Sequence, residues 1–319
     1  MRASRIAAIT ALIACNLLFS NVFSQSWPTK PVRIVIPYAP GGSADLLARL
    51  ASDKLTRKFG QQFITENRAG AGGAIGSELV ARSAPDGYNL VLSGIGSHVV
   101  APAATPLTYD PVRDFTHIAL LGGFPTVLLV HPGSPLRTLR EFVAEARSKP
   151  GGIAFGTPGH GTHAHLIGVL FAQKSGANLT PVPYKGGGPA LADLAGNQLP
   201  AAFVTLGPSA PMIRAGKVRS LGLTTVKRLP EFPDLPTFAE GGYADMQAIT
   251  WFGISGPAGM PRPLAVRLNQ EIRAVLLEPD VRERLRPEGV EPNDLDVDAF
   301  TAFVRSEIER WGPLAKGTQ

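Results

Sequence analysis

Short β-branched runs, each closed by a glycine-bearing turn and followed by an amphipathic stretch, recur along most of this sequence. Val32–Ile36 has the continuous apolar character of a buried strand, and Gly41-Gly42-Ser43 makes the turn. Ala44–Phe59 then places Leu46, Leu47, Leu50 and Leu55 near helical spacing. Gln62–Glu66 and Asn89–Ser93 are strand-like, Gly73–Arg82 is helical, and Phe115–Val130 holds extended apolar runs broken at Gly122-Gly123. The rhythm then restarts. Helices are expected at Leu139–Ser148, Thr162–Ser175 and Pro189–Ala195, and strands at Ile153–Gly156, Thr180–Tyr184, Ala201–Thr205 and Val218–Thr224. Ile249–Ser255 is extended, and the chain ends in helices at Arg262–Leu277, Asp280–Leu285 and Val297–Trp311. Pro263 and Asp296 stand where helix starts favour them.

This alternation predicts an α/β fold with largely parallel sheets. Two similar blocks followed by helices suggest a two-lobed clam. The chain is expected to cross between lobes near Gly123–Pro125 and to return near Thr250–Phe252. Residues 25–123 and 251–319 then make lobe 1, and 124–250 make lobe 2. Such sheets bind ligands outside the carboxyl ends of their strands. The loops after Ile36, Ser93, Phe155 and Tyr184 are therefore the candidate site.

Residues 1–24 read as a signal peptide. Arg2 and Arg5 form a basic start, Ile6–Phe23 is apolar without an acid, and Val22 and Ser24 are the small residues before a cut ahead of Gln25. Leu12-Ile13-Ala14-Cys15 offers a competing lipobox that would lipidate Cys15, although Leu17-Leu18-Phe19 carries the apolar run past it. Cys15 is the only cysteine, so cleavage before Gln25 leaves no disulfide, thiolate nucleophile or zinc–thiolate site. A large core must hold such a chain together, and 44% hydrophobic residues with 18% charged supply one. The net charge of +6 falls to +4 without Arg2 and Arg5. The cations are scattered and form no stripe with aromatics, which argues against nucleic acid. A periplasmic monomer is expected.

Two loops have the make-up of anion sites. In Tyr38-Ala39-Pro40-Gly41-Gly42-Ser43-Ala44-Asp45, prolines stiffen the approach and glycines let the backbone come close to a ligand. Ser43 is expected as the N-cap of a helix whose free N–H groups favour a carboxylate. From the residues alone, a serine cap over an empty helix end is an equal reading. Gly156-Thr157-Pro158-Gly159-His160-Gly161-Thr162-His163 repeats the arrangement in the second block. Charge-assisted hydrogen bonds contribute roughly 1.5–3 kcal/mol each. Three or four, less the cost of immobilisation, put affinity near micromolar, about −8 kcal/mol.

Other chemistries fit poorly. His163 and His165 point to different faces of a helix, and no third ligand converges with them or His160, so no metal is expected. His163 is placed at the cleft, with His165 a hydrogen-bonded, half-buried residue. In Arg68–Gly76 the glycine spacing fails at Ile75, so no dinucleotide cofactor is expected, and the segment reads as a tight turn lining the cleft. There is no G-x-S-x-G elbow, and Ser43 and Ser97 have no evident base and acid partners. Asp45, Asp86 and Asp193 form no glycosidase pair, and Asp45 reads as a first-turn dipole partner. His98 either reaches the cleft or caps the segment of Val99. Phe124, Leu206 and Trp251 are expected to govern pocket volume.

Seven segments occur in order over residues 27–319: PVRIVIPYAPGGSAD, ENRAGAGGAIGSE, DGYNLVLSG, GTPGHGTHAHLIG, PYKGGGPALADL, IRAGKVRSLGLTT and WFGISGPAGMP. By these the chain resembles the Bug-type periplasmic receptors of tripartite tricarboxylate transporters. The resemblance implies two α/β lobes of the type II periplasmic binding protein kind, closing over a ligand carboxylate. It implies that Tyr38, Ala39, Gly42, Ser43 and Asp45, then Thr157, Gly159, Gly161, Thr162 and His163, grip that group. Tyr184 and Lys185 flank the other end, and His98 stands where relatives often place a small polar residue. The implied function is capture of a small organic carboxylate, without cofactor or catalysis, for the membrane subunits of the transporter. A sensor delivering the ligand to a membrane kinase and a periplasmic enzyme are the alternatives. Leu199–Thr205 departs from the pattern by lacking an acid, which favours a plain organic acid over an amino acid.

Overall fold

The computed structural model describes residues 27–291 and 293–317; the expected signal peptide and Cys15 lie outside the described residues. Strand β1 (Val32–Ile36) lies between β2 (Phe63–Asn67) and β3 (Asn89–Gly94), parallel to both, with Arg33 level with Ile64 and Asn89. Neighbours on both edges, with α1 (Ser43–Phe59) and α2 (Ala74–Ala81) packed on it, explain why nearly all of Val-Arg-Ile-Val-Ile is buried. Helix α1 buries Leu47 and Leu55 as their spacing predicts, with Ala48 and Ala51 between them, whereas Leu46 and Leu50 are only half-buried at the edge of the stripe. It stops at Gly60, whose left-handed backbone (φ 66°) turns its N–H back onto Thr56 O.

After β3 the chain makes a π-helical turn, Gly96–Val100, running on into the short α3 (Ala101–Ala104). Then comes β4 (Phe115–Val130), one continuous strand of 16 residues where the sequence suggests a break at the glycine pair. Gly122 absorbs the irregularity: the register slips between Leu120 and Gly122, and its φ of 130° suits glycine alone. Up to Pro125, β4 pairs with β9 (Ile249–Pro257); from Thr126 it pairs instead with β7 (Ala201–Thr205) and, from Val127, β8 (Arg219–Leu223). All these pairings, and that of β9 with β3, are antiparallel, whereas β5 (Ile153–Thr157) runs parallel to β6 (Leu179–Pro183) and β7. The sheet is therefore mixed, its antiparallel members being the long strands that link the two blocks and the partners they take.

Around the second block lie α4 (Leu139–Ser148), α5 (His163–Ser175), α6 (Gly187–Ala195) and α7 (Leu206–Arg214). Helix α7 has no counterpart in the sequence reading, because Gly207, Pro208 and Pro211 punctuate it like a loop. Within its first turn Ser209 Oγ donates back to Thr205 O at 3.0 Å and Leu206 O at 2.8 Å, and the helix is held by burial of Leu206 and Ala210 in the core around β7 and β8. The chain closes with α8 (Arg262–Leu276), α9 (Pro279–Leu285) and α10 (Val297–Lys316). Asp296 caps α10 by accepting from Ala299 N at 2.8 Å.

One hydrophobic cluster runs from Val99 and Val100 through Trp251, Phe300 and Trp311 to Phe155 and Phe171, so α10 seals a seam between the blocks. Trp251, Phe124 and Leu206 are wholly buried in the core. They back the strands and present no surface to solvent, where the sequence reading has them governing an open pocket.

Candidate functional site

The first loop leaves β1 at Pro37 and enters α1. Its N-cap is Gly42, whose carbonyl receives Leu46 N at 3.1 Å; Ser43 is the first helical residue and makes no side-chain cap. This corrects the expected serine cap. The extended backbone of Gly42 (φ −93°, ψ −179°) meets the cap's conformational demand without a hydroxyl. Asp45 does the fastening: Oδ2 accepts from Gly41 N at 3.2 Å and Arg49 Nε at 2.9 Å, and Oδ1 from Asn67 Nδ2 at 3.1 Å. Those hydrogen bonds, Arg49 first, hold its carboxyl below its usual range. The Asp45 charge is thus spent inside the loop. The N–H groups of Ser43, Ala44 and Asp45, which have no partner within the helix, form the loop's donor end. Ala39 and Gly42 are exposed and Ser43 is half-buried.

The second loop leaves β5 at Thr157 and enters α5. Thr162 is a true N-cap: its Oγ1 accepts from His165 N at 3.4 Å and donates to Gly159 O at 2.8 Å. Thr157, wholly buried, donates to the same carbonyl at 3.2 Å. Gly161 turns the chain with a left-handed φ of 70°, and its N–H meets His165 Nδ1 at 3.3 Å. Fixing the loop therefore falls to His165, which is 2% exposed and not half-buried as expected. The loop is also sewn to the end of β6, with Tyr184 N on Thr157 O at 3.0 Å and Gly186 N on Pro158 O at 2.8 Å. Tyr184 itself donates to Asp193 Oδ2 at 2.8 Å, and Lys185 is exposed.

The Gly96–Val100 turn touches both loops. Tyr38 Oη lies 3.2 Å from Ser97 N and 3.3 Å from Ser97 Oγ. On the other side, Val100 comes within 3.9 Å of where a side chain on Gly161 would begin. Glycines 72 and 73 pack beneath it, against Ala101, Ser97 and Tyr38. Sequence reading marks this loop as the segment after Ser93, with Ser97 and His98, but not its turn, because a π turn carries no periodic signature; the glycines at 94 and 96 are the available hint.

Two of the expected site histidines are not open to solvent. His98 is wholly buried, with Nδ1 2.9 Å from Ser97 Oγ, so it neither lines an open cleft nor caps Val99. Burial, then the neighbouring His117, drives its pKa well down. His163 is 3% exposed, bonded through Nδ1 to Thr250 Oγ1 at 3.0 Å on β9 and set edge-on to Trp311. Burial, then Arg310, lowers its pKa to about 3. It thus joins the second loop to the crossing strand and to α10.

Two serine–histidine pairs sit within hydrogen-bond reach, Ser97–His98 and Ser255–His117, the latter also at 2.9 Å. All four residues are at most 1% exposed. His98 Nε2 has no partner and no carboxylate orients it, so the arrangement lacks what an activated nucleophile needs. Among the described residues no His, Asp or Glu cluster suits a metal, and no helix is long and apolar enough to cross a membrane.

A family described as "Tripartite tricarboxylate transporter family receptor" matches residues 47–319. Protein BugT of Bordetella pertussis is 34% identical over 319 residues, covering 98% of this chain and 97% of that one. Among solved structures, R. palustris Rpa4515 with adipate superposes with a TM-score of 0.84 at 34% identity, covering 92% and 98% of the two chains. MatC of Rhodopseudomonas palustris with bound malate gives 0.79 at 32%, covering 91% and 100%.

Proposed function

Because this chain belongs to the tripartite tricarboxylate transporter family of receptors, we propose that it captures a plain organic carboxylate between the loops that follow β1 and β5. It is an extracytoplasmic solute-binding protein of two lobes, serving a transporter. The observation that carries the site assignment is the pairing of two glycine-softened helix starts, coupled through the Gly96–Val100 turn. The ligand is held by first-turn N–H groups of α1 and α5, with Tyr184 and Lys185 at its far end. Adipate and malate, the ligands named for the two similar structures, define the size of acid we expect here.

We place the lobe boundaries at 123/124 and 250/251, supported by β4 leaving β9 for β7 after Pro125, the residue level with Ile249 where β9 begins. Closing and opening about these strands is the receptor's work, performed as a monomer without catalysis; the buried state of both serine–histidine pairs supports that reading. Export through the leader at 1–24, with Cys15 removed, completes the proposal.

The test is titration calorimetry of residues 25–319 with adipate and malate, and with glutamate and aspartate as amino acids. The plain diacids are expected to bind near micromolar. Ser43→Pro removes one first-turn donor at a position that tolerates proline, after a residue already extended. It is expected to weaken binding about tenfold with an unchanged melting temperature. A clear preference for amino acids, or an S43P protein that binds as the parent does, overturns the assignment.

A further inference from the structure

Tyr38 carries the one phenolic hydroxyl on the first loop, which makes it an obvious donor to a bound carboxylate. The hydrogen bonds around it say otherwise. A tyrosine hydroxyl has one proton to give. Its oxygen already receives Ser97 N–H at 3.2 Å, and its proton faces Ser97 Oγ at 3.3 Å. What happens at Ser97 is decided one residue further in, at His98.

Nδ1 of His98 stands 2.9 Å from Ser97 Oγ, while Nε2 has no partner in a pocket walled by Phe115, Tyr109 and His117. A buried N–H without an acceptor is rarer and costlier than a bare lone pair. The proton therefore belongs on Nδ1, which donates to Ser97 Oγ. Ser97 then turns its own proton to Gly94 O, 3.4 Å away, and accepts from both His98 and Tyr38. Every donor in the chain is used, and the proton of Tyr38 points inward.

The setting is built for this contact. A side chain at Gly96 would begin 3.0 Å from Tyr38 Oη, and the Tyr38 ring stands edge-on to Phe252. Ser97 O is held from behind by Tyr109 Oη at 2.6 Å.

We propose that Ser97 and His98 are positioning residues for the anion-binding loop: they take up the Tyr38 hydroxyl, so that Tyr38 anchors the loop and leaves the carboxylate to the backbone N–H groups. The proposal rests on the reading that the 38–45 loop holds the ligand. His98 itself touches no ligand. Its neutrality, with burial holding its pKa low, keeps the relay in one state across the physiological pH range. Because the same turn reaches Gly161 through Val100, the relay also sets the spacing between the two loops.

The experiment uses residues 25–319 and titration with adipate and malate, with thermal melts on every variant. Tyr38→Phe, Ser97→Ala and His98→Phe each remove one link and are expected to weaken binding about tenfold. The double variant Y38F/S97A is expected to be no worse than either single one, since both break the same bond. His98→Asn keeps a donor beside Ser97 Oγ and is expected to restore affinity to within about twofold, which a merely space-filling role for His98 does not predict. If Y38F weakens binding while S97A and H98F do not, Tyr38 donates to the ligand and the proposal is wrong. If the losses of Y38F and S97A multiply in the double variant, it is equally wrong. If all three variants bind normally while S43P does not, the loop holds the ligand and the relay is irrelevant. If S43P also binds normally, the assignment of the loop has failed, and this inference with it.

Discussion

Lowering the pH from 7.5 to 5.5 should destabilise this protein well before its carboxylates protonate. His163 and His117 have folded pKa values lowered by burial to about 3 and about 4, against 6.5 when exposed. Each is neutral in the fold down to those values, whereas in the unfolded chain each binds a proton below pH 6.5. Their contribution to stability is therefore complete above pH 6.5 and is lost as the pH falls towards the folded pKa. At pH 5.5, one unit below the unfolded value, each costs about 1.4 kcal/mol, or about 3 kcal/mol together. His98 and His165, lowered by burial too, act in the same direction. Glu307, raised by burial, opposes them. The assay is urea unfolding of ligand-free protein at both pH values, followed by the fluorescence of Trp251 and Trp311, which lie in the seam. His163→Asn should flatten the pH dependence by roughly half of the paired figure. Equal stability at pH 7.5 and 5.5 refutes the claim that these imidazoles are buried and neutral.

Other substitutions probe the loops and the packing behind them. Asp45→Ala removes the acceptor of Gly41 N and Arg49 Nε and one of the two acceptors of Asn67 Nδ2; melts should register a loss of about 1–3 kcal/mol, and calorimetry weaker carboxylate binding. Gly168→Ala on α5 puts a methyl 2.4 Å from the Phe155 ring, so unfolding should show a cost of about 1–3 kcal/mol, part of it recovered by a smaller residue at 155. Glu307→Leu leaves Trp251 Nε1 without its acceptor at 3.1 Å and should lower stability by about 1–3 kcal/mol, with a shift in tryptophan emission.

Periodicity made most of the elements legible. β1 and α4 fall where their apolar spacing places them, because buried strands and amphipathic helices leave a direct pattern in the chain. The failures have physical causes. Helix α7 is written in glycine and proline, and burial of Leu206 and Ala210, not propensity, holds it. β4 continues through Gly122-Gly123 because a bulge absorbs an irregularity that in sequence is the same as a break. The loops were visible as glycine clusters, yet not the partners that fix them: Asp45 with Asn67, and Ser97 with Tyr38, join residues from separate elements. Nothing in the spacing of GTPGHGTHAH tells which histidine faces which way; only the fold turns His165 back to Gly161 and His163 out to Thr250.

The chemistry of the first loop also bears on how strongly the ligand should feel salt. Its one carboxylate is matched by Arg49 at 2.9 Å, so the loop offers an anion almost no net charge. What it offers is a row of N–H dipoles whose reach is a turn of helix, about 5 Å. Lys185, by contrast, is exposed and acts through solvent, where the screening length shrinks from about 10 Å at 0.1 M salt to about 3 Å at 1 M. If the dipoles hold the carboxylate, raising salt from 0.05 to 0.5 M should change affinity less than about threefold, and Lys185→Ala should matter little beyond that. A steep salt dependence that vanishes in K185A would transfer the recognition from backbone to lysine, and the two helix starts would then be scaffold rather than site.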